Sequence, residues 1–374
     1  MRLETLAVHA GSSPDPETGA VAPPIHLSTT FEHAPDGSMP YGWIYQRTDN
    51  PTQQRFEEAL TALEHGESAL FFGSGMAAGS AIMQSLPPQS HVLLPDDVYH
   101  GFRALAREFS KRWNLHCTCA DFGDEGAVRA ALLPNTALVW AETPSNPLLQ
   151  ITDLALLANI VHEHGALLLV DNTFASPVLQ QPLTLGADIV LHSVTKYIGG
   201  HSDLMAGALV FAHGRRALAQ QAAQTRSTVG LHGSPFAAWM ALRGLHSLPA
   251  RMAWHNRNAR AVATALCAHT AVERVHYPGL PEHPGHALAA RQMREFGGMV
   301  SFELVGGRDA ALACASRLRL FINATSLGGC ESLVEHRASV EGACPMSPPG
   351  LLRLSVGLEH PDDLVGDLLQ ALSS

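Results

Sequence analysis

Seven short apolar runs, several of them separated by helical patterns, limit what this chain can fold into. The runs lie at 69–72, 91–94, 115–119, 137–141, 166–170, 189–192 and 208–211. A first helix is expected over 52–64, with Gly66 just past its end, and further helical patterns fall at 76–86, 102–113, 125–133 and 154–164. A run that is apolar throughout, rather than at alternate positions, belongs to a strand buried on both faces. A helix between two such strands supplies the crossover that a parallel pair requires. The expectation is an α/β fold: a mostly parallel seven-stranded sheet between helices.

The flanks differ in pattern. Residues 1–50 are rich in Pro, Gly, Ser and Thr, show no sustained period, and read as an extended N-terminal arm. A helical stretch over 234–269, broken near Pro249, leads into a mixed region with strand candidates at 299–304, 320–324 and 352–356 and helices at 310–318 and 362–372. The expected organisation is an arm (1–50), a large domain (51–240) and a smaller C-terminal α+β domain (241–374).

A net charge of −10 argues against nucleic acid or an anionic membrane as partner. No apolar run reaches the roughly 20 residues of a membrane helix, and Met1-Arg2-Leu3-Glu4-Thr5 shows no leader, so a cytoplasmic location is expected. Six cysteines, Cys117, Cys119, Cys267, Cys314, Cys330 and Cys344, form no CxxC pair, and the 21 histidines show no ligand spacing, so no metal site is expected. Cys117 and Cys119 read as small buried hydrophobes sharing one face of a strand.

Three local features point to chemistry. Lys196, in Ser193-Val194-Thr195-Lys196-Tyr197, is one of only two lysines in 374 residues; the other is Lys111. A primary amine can lose its proton and form a Schiff base with an aldehyde, whereas a guanidinium stays charged. A solvated surface lysine is the plainer reading, and it suits Lys111. Next, Gly73-Ser74-Gly75-Met76 turns from a strand into a helix, where free N–H groups meet an anion and glycine admits a phosphate closely; a plain tight turn is the alternative. Finally, Asp171 ends the apolar run Leu167-Leu168-Leu169-Val170, where it suits a cationic ring nitrogen, although a helix-capping aspartate would look the same. An amine, a carboxylate and a phosphate cradle beside the hydroxyls of Ser193 and Thr195 are the parts a pyridoxal phosphate site needs.

With these motifs the chain resembles the cystathionine γ-synthase/β-lyase family of pyridoxal 5'-phosphate enzymes, of fold type I. Further matches include Tyr45-Gln46-Arg47, Glu142-Thr143-Pro144-Ser145-Asn146-Pro147, Ser326-Leu327-Gly328-Gly329 and Leu352-Arg353-Leu354-Ser355-Val356-Gly357, spread over almost the whole chain. The resemblance implies that Lys196 carries the cofactor as a Schiff base and then shuttles protons. Asp171 would pair with the ring nitrogen, and Tyr99 would stack on the ring and relay a proton. Gly75, Met76, Ser193 and Thr195 would hold the phosphate. Tyr45 and Arg47 would reach the phosphate of a neighbouring subunit, implying a homodimer with shared sites, commonly paired into a homotetramer. Arg353 would clamp the carboxylate of a small sulfur amino acid, with Asn146 and Ser326 orienting cofactor and substrate.

The chain departs from family patterns where substrates are distinguished. Thr325 stands where members acting at Cγ often carry glutamate. Gly101 stands where methionine γ-lyases carry cysteine, and Leu327 where enteric β-lyases carry tryptophan. Trp239 replaces a common tyrosine and, with Tyr99, Gly101 and Thr325, is expected to wall the site. The leading expectation is a carbon–sulfur lyase of the cystathionine type. The alternative is a synthase joining cysteine or sulfide to an O-acyl-homoserine. An aminotransferase and an inactive scaffold are more distant readings.

Overall fold

The computed structural model describes residues 1–341 and 346–373. Strands β1 Ser68–Phe72, β2 His91–Pro95, β3 His116–Ala120, β4 Thr136–Glu142, β5 Leu167–Asp171, β6 Ile189–His192 and β7 Gly207–Phe211 form one sheet, in the order β1-β7-β6-β5-β4-β2-β3. Neighbours from β6 through β3 run parallel, and β7 is antiparallel to both of its neighbours. The central strands are buried along their length, as their unbroken apolar sequence requires.

A second sheet contains β8 Val272–His276, β9 Met299–Leu304, β10 Ile322–Asn323, β11 Leu333–His336 and β12 Leu351–Ser355, in the order β10-β11-β12-β9-β8. Its core joins Val300, Phe302, Val334 and Leu354 to apolar residues of the helices Gly307–Arg317 and Pro361–Leu372.

The helix Pro235–Cys267 packs against both bodies. It is continuous, with Pro249 inside it, where the sequence suggested a break. Leu242, Leu245, Leu248 and Met252 bury on either side of the proline in one cluster, and this packing outweighs the local cost of a missing N–H. The same cluster takes up Leu3 and Ala7, which accounts for a helix at Leu3–His9 inside the segment expected to be an extended arm. The helix Arg216–Val229 and strands β8 and β11 carried too little apolar signal to be expected. β11 is wholly buried, yet half of it is Glu335 and His336.

Cys119 is exposed rather than buried, because β3 is an edge strand, and Cys117 is half-buried. Cys344 lies outside the described residues.

Candidate active site

β4, β5 and β6 end on the same rim of the large sheet. They bring Glu142, Asp171 and His192 together, with Glu142 and Asp171 as register partners. Ligands bind at such carboxyl ends. Over this rim lies a cavity of about 200 Å³, lined in part by Gly75, Met76, Tyr99, Asp171 and Lys196 and closed on the far side by Ser326 and Arg353.

The phosphate-type end begins with the helix Gly75–Ser85, which follows β1 directly. Ser74 caps it, accepting from the Ala77 N–H at 3.0 Å, while the first-turn N–H groups have no intrahelical partner. A Cβ on Gly75 would sit 3.1 Å from Ser193 Cβ, and one on Gly207 would collide with Ser74 O. Both glycines keep the cradle open. Ser193 and Thr195 line it too, although the Thr195 hydroxyl is engaged with the backbone of Ala206 in both directions.

Asp171 Oδ1 accepts from the Thr173 N–H at 3.0 Å and the Thr173 hydroxyl at 2.5 Å, so Oδ2 is the oxygen left for a ligand. Thr173 Oγ1 also accepts from the Ser193 N–H at 2.8 Å, tying the ends of β5 and β6 together. Burial raises the Asp171 carboxyl above its ordinary value. Glu142 is raised well above its ordinary value, first by burial and then by the Asp171 charge; its Oε2 accepts from the Tyr99 N–H at 2.8 Å.

Lys196 Nζ donates to Ser326 Oγ at 2.7 Å. Burial, and then the Arg353 charge, push its ammonium down to about 8. Ser326 has φ +101°, a conformation costly for a residue with a Cβ and typical of functional sites. Arg353, buried on β12, donates from Nη1 to Asn146 Oδ1 at 3.0 Å and from Nη2 to Ser326 O at 3.2 Å. Its Nη2 also lies 2.8 Å from Glu335 Oε2. Burial lowers Arg353 to about 10, which leaves it charged at neutral pH.

Tyr99 lines the cavity, its hydroxyl pushed up by burial. Gly101 leaves room for it, since a Cβ there would lie 2.5 Å from Tyr99 Cε1. Thr325 and Leu327 are also in the wall. Trp239 is not: its Nε1 donates to Pro23 O at 2.9 Å, so it fastens the N-terminal segment instead. Tyr45 and Arg47 lie outside this chain's cavity; Arg47 stacks over the Tyr45 ring and donates to Ser227 O at 2.8 Å. Sequence reasoning missed Glu142, Thr173, His100, Glu335 and Arg337. Of these only Glu142, ending an apolar strand as Asp171 does, carried a signal.

Carboxylate, amine and open helix N-terminus around one cavity define the class of site that fits pyridoxal phosphate: an acceptor oxygen for the ring nitrogen, a neutralisable amine for the aldehyde, and free N–H groups for the phosphate. The chain belongs to the family of Cys/Met metabolism PLP-dependent enzymes, whose sequence profile it matches over residues 4–373. It is 50% identical over 375 residues to the cystathionine gamma-synthase of Mycobacterium tuberculosis, covering 98% of this chain and 96% of that one. It is 43% identical over 379 residues to the cystathionine beta-lyase of Coxiella burnetii, covering 99% and 97%. The crystal structure of cystathionine gamma synthase from Xanthomonas oryzae pv. oryzae in complex with cystathionine superposes with a TM-score of 0.96 at 44% identity, over 100% of this chain and 98% of that one.

Proposed function

We propose that the protein forms cystathionine by γ-replacement. The thiolate of cysteine bonds to Cγ of an O-acyl-homoserine, the Cγ–O bond breaks, and the acyl group leaves as a carboxylate. The sequence alone put carbon–sulfur cleavage first. The observation that reverses the order is 50% identity, over nearly the full chain, to relatives named synthases. Cleavage of cystathionine stays as the second reading, favoured by the 43% identity to a β-lyase.

Pyridoxal phosphate, when bound, supplies an electron sink that makes loss of the substrate α-proton feasible. In our reading Lys196 holds it covalently, Asp171 Oδ2 meets the ring nitrogen, and Tyr99 covers the ring. Gly75, Met76, Ser193 and Thr195 hold the phosphate. Arg353, oriented by Asn146, clamps the substrate α-carboxylate; a planar fork suits that group best. Lys196 Nζ, whose depressed pKa brings its neutral form within reach just above neutral pH, takes the α-proton, and the Ser326 hydroxyl holds the amine in place between transfers.

Tyr45 and Arg47 complete the site of a second subunit in a cytoplasmic homodimer, or in a homotetramer built from two. Their exposure, beside exposed Val21, Leu27 and Tyr41 on the same arm, supports this. Holoenzyme given O-succinyl- or O-acetyl-homoserine with cysteine is expected to release cystathionine. Production of 2-oxoacid and thiol from cystathionine, with no synthesis from either ester, would instead establish the lyase.

A further inference from the structure

Arg337 is a second arginine in this cavity, and nothing in the reading above uses it. It opens the four-residue helix Arg337–Val340, just past β11, and only 2% of it is exposed. Its Nη1 donates to Glu335 Oε2 at 2.5 Å, and its Nη2 lies 3.2 Å from His100 Nδ1. Glu335 Oε2 is the same oxygen that meets Arg353, so one carboxylate oxygen serves two guanidinium groups. The next nearest acid, Glu341, is 3.7 Å away, and its oxygens already accept from Met346 N, Ser347 N and Ser347 Oγ. Among the described residues nothing accepts from Arg337 Nε.

The two arginines serve different parts of the cavity. Arg353 donates to Asn146 Oδ1 and to the carbonyl of Ser326, the residue whose hydroxyl holds the Lys196 amine, whereas Arg337 meets the ring of His100, the neighbour of Tyr99. Arg353 therefore sits towards the amine, and Arg337 beyond Glu335 on the Tyr99 and His100 wall. A buried guanidinium with donors to spare, on the wall of a substrate cavity, is a fitting receptor for a carboxylate.

Resting on the γ-replacement reading, we propose that Arg337, backed by His100, binds a carboxylate carried by the substrate beyond its reacting carbon, so that the preferred ester has a carboxylate at each end. A succinyl ester supplies this group and an acetyl ester does not.

The test compares kcat/KM of holoenzyme for O-succinyl- and O-acetyl-homoserine, with cysteine as partner, in wild type, Arg337→Gln and Arg337→Lys. Wild type is expected to prefer the succinyl ester. The ratio of the two values should fall about 30-fold in Arg337→Gln, since losing one member of a buried charge pair costs 2 kcal/mol or more. The loss should appear mainly in KM, and Arg337→Lys should recover part of it. Should Arg337→Gln fail to bind cofactor, as read from its visible absorption, Arg337→Lys against wild type decides alone. An equal fall for both esters would reduce Arg337 to a support for Glu335 and overturn the proposal, as would a wild-type preference for the acetyl ester. No turnover of either ester by wild type would overturn the γ-replacement reading, and this proposal with it.

Discussion

Lys196 and Ser326 stand 130 residues apart in sequence and 2.7 Å apart in space, the amine of one donating to the hydroxyl of the other. The bond joins the end of the large sheet to the loop between β10 and β11 of the second sheet, so the amine is held only when both bodies are folded. Ser326→Ala and Ser326→Gly should both slow α-proton removal. Only the glycine variant should gain stability, by up to about 1 kcal/mol, because the left-handed backbone at φ +101° costs glycine nothing. Thermal unfolding and hydrogen–deuterium exchange at the substrate α-carbon read the two effects separately. Equal melting temperatures for the two variants would remove the strain argument.

The depressed pKa of Lys196 has a direct readout. Apo-protein mixed with pyridoxal phosphate and reduced with borohydride should label Lys196, with a rate that rises through a midpoint at about 8. Peptide mapping checks the site, and a midpoint near the ordinary 10.5 would contradict the burial. The sign for stability follows. Between about 8 and 10.5 the unfolded chain binds the proton that the folded apo-protein has released, so Lys196 contributes rising stability as pH increases through that window.

Asp171 and Glu142 are neighbouring carboxyls with opposite expected sensitivities. Asp171→Asn should reduce turnover by at least about 100-fold, because the amide keeps the shape but gives no charge to the ring nitrogen. Glu142→Gln should cost less than about threefold, since burial and the Asp171 charge already disfavour a charge on Glu142 and the amide oxygen still accepts from the Tyr99 N–H. Glu142→Leu, which removes that acceptor, should be the damaging change. Steady-state kinetics on the three variants decide.

At Gly101 the space is already used. Gly101→Ala places a methyl 2.5 Å from Tyr99 Cε1 and 3.1 Å from Met76 Sδ, and should displace the ring at a cost of about 1–3 kcal/mol in stability. The visible spectrum of the holoenzyme should shift as the covering ring moves. An unshifted spectrum with wild-type kinetics would mean that Tyr99 does not cover the cofactor.

Shared sites predict complementation. Lys196→Ala and Arg47→Ala should each be nearly inactive alone. Mixed and reassembled, they should recover up to about a quarter of wild-type activity, because half the dimers are hybrids with one of two sites intact. No recovery, with hybrid dimers shown by mass spectrometry, would confine Arg47 to its own subunit.

Much of the fold was legible because its signal is local. Buried strands such as Ile189–His192 must be apolar on both faces, and Ser74 and Gly75 mark a helix start by their own conformational needs. β11 was not legible, because a strand that gives half its residues to Glu335 and His336 loses its apolar signature. The helix across Pro249 misled in the opposite sense: a strong local signal yielded to packing from both sides.

Within the site the division is the same. Sequence alone pointed to the amine, the carboxylate and the glycine-opened helix, since each is a property of a few adjacent residues at the end of a strand, and the family motifs pointed to their cofactor. Only the tertiary structure decided which groups share a cavity. It took Trp239 out of the wall, left Tyr45 and Arg47 outside this chain's cavity, and set Arg353 and Arg337 on either side of Glu335. Those contacts join residues up to 237 positions apart, and no local pattern encodes a distance that exists only once the two sheets are packed together.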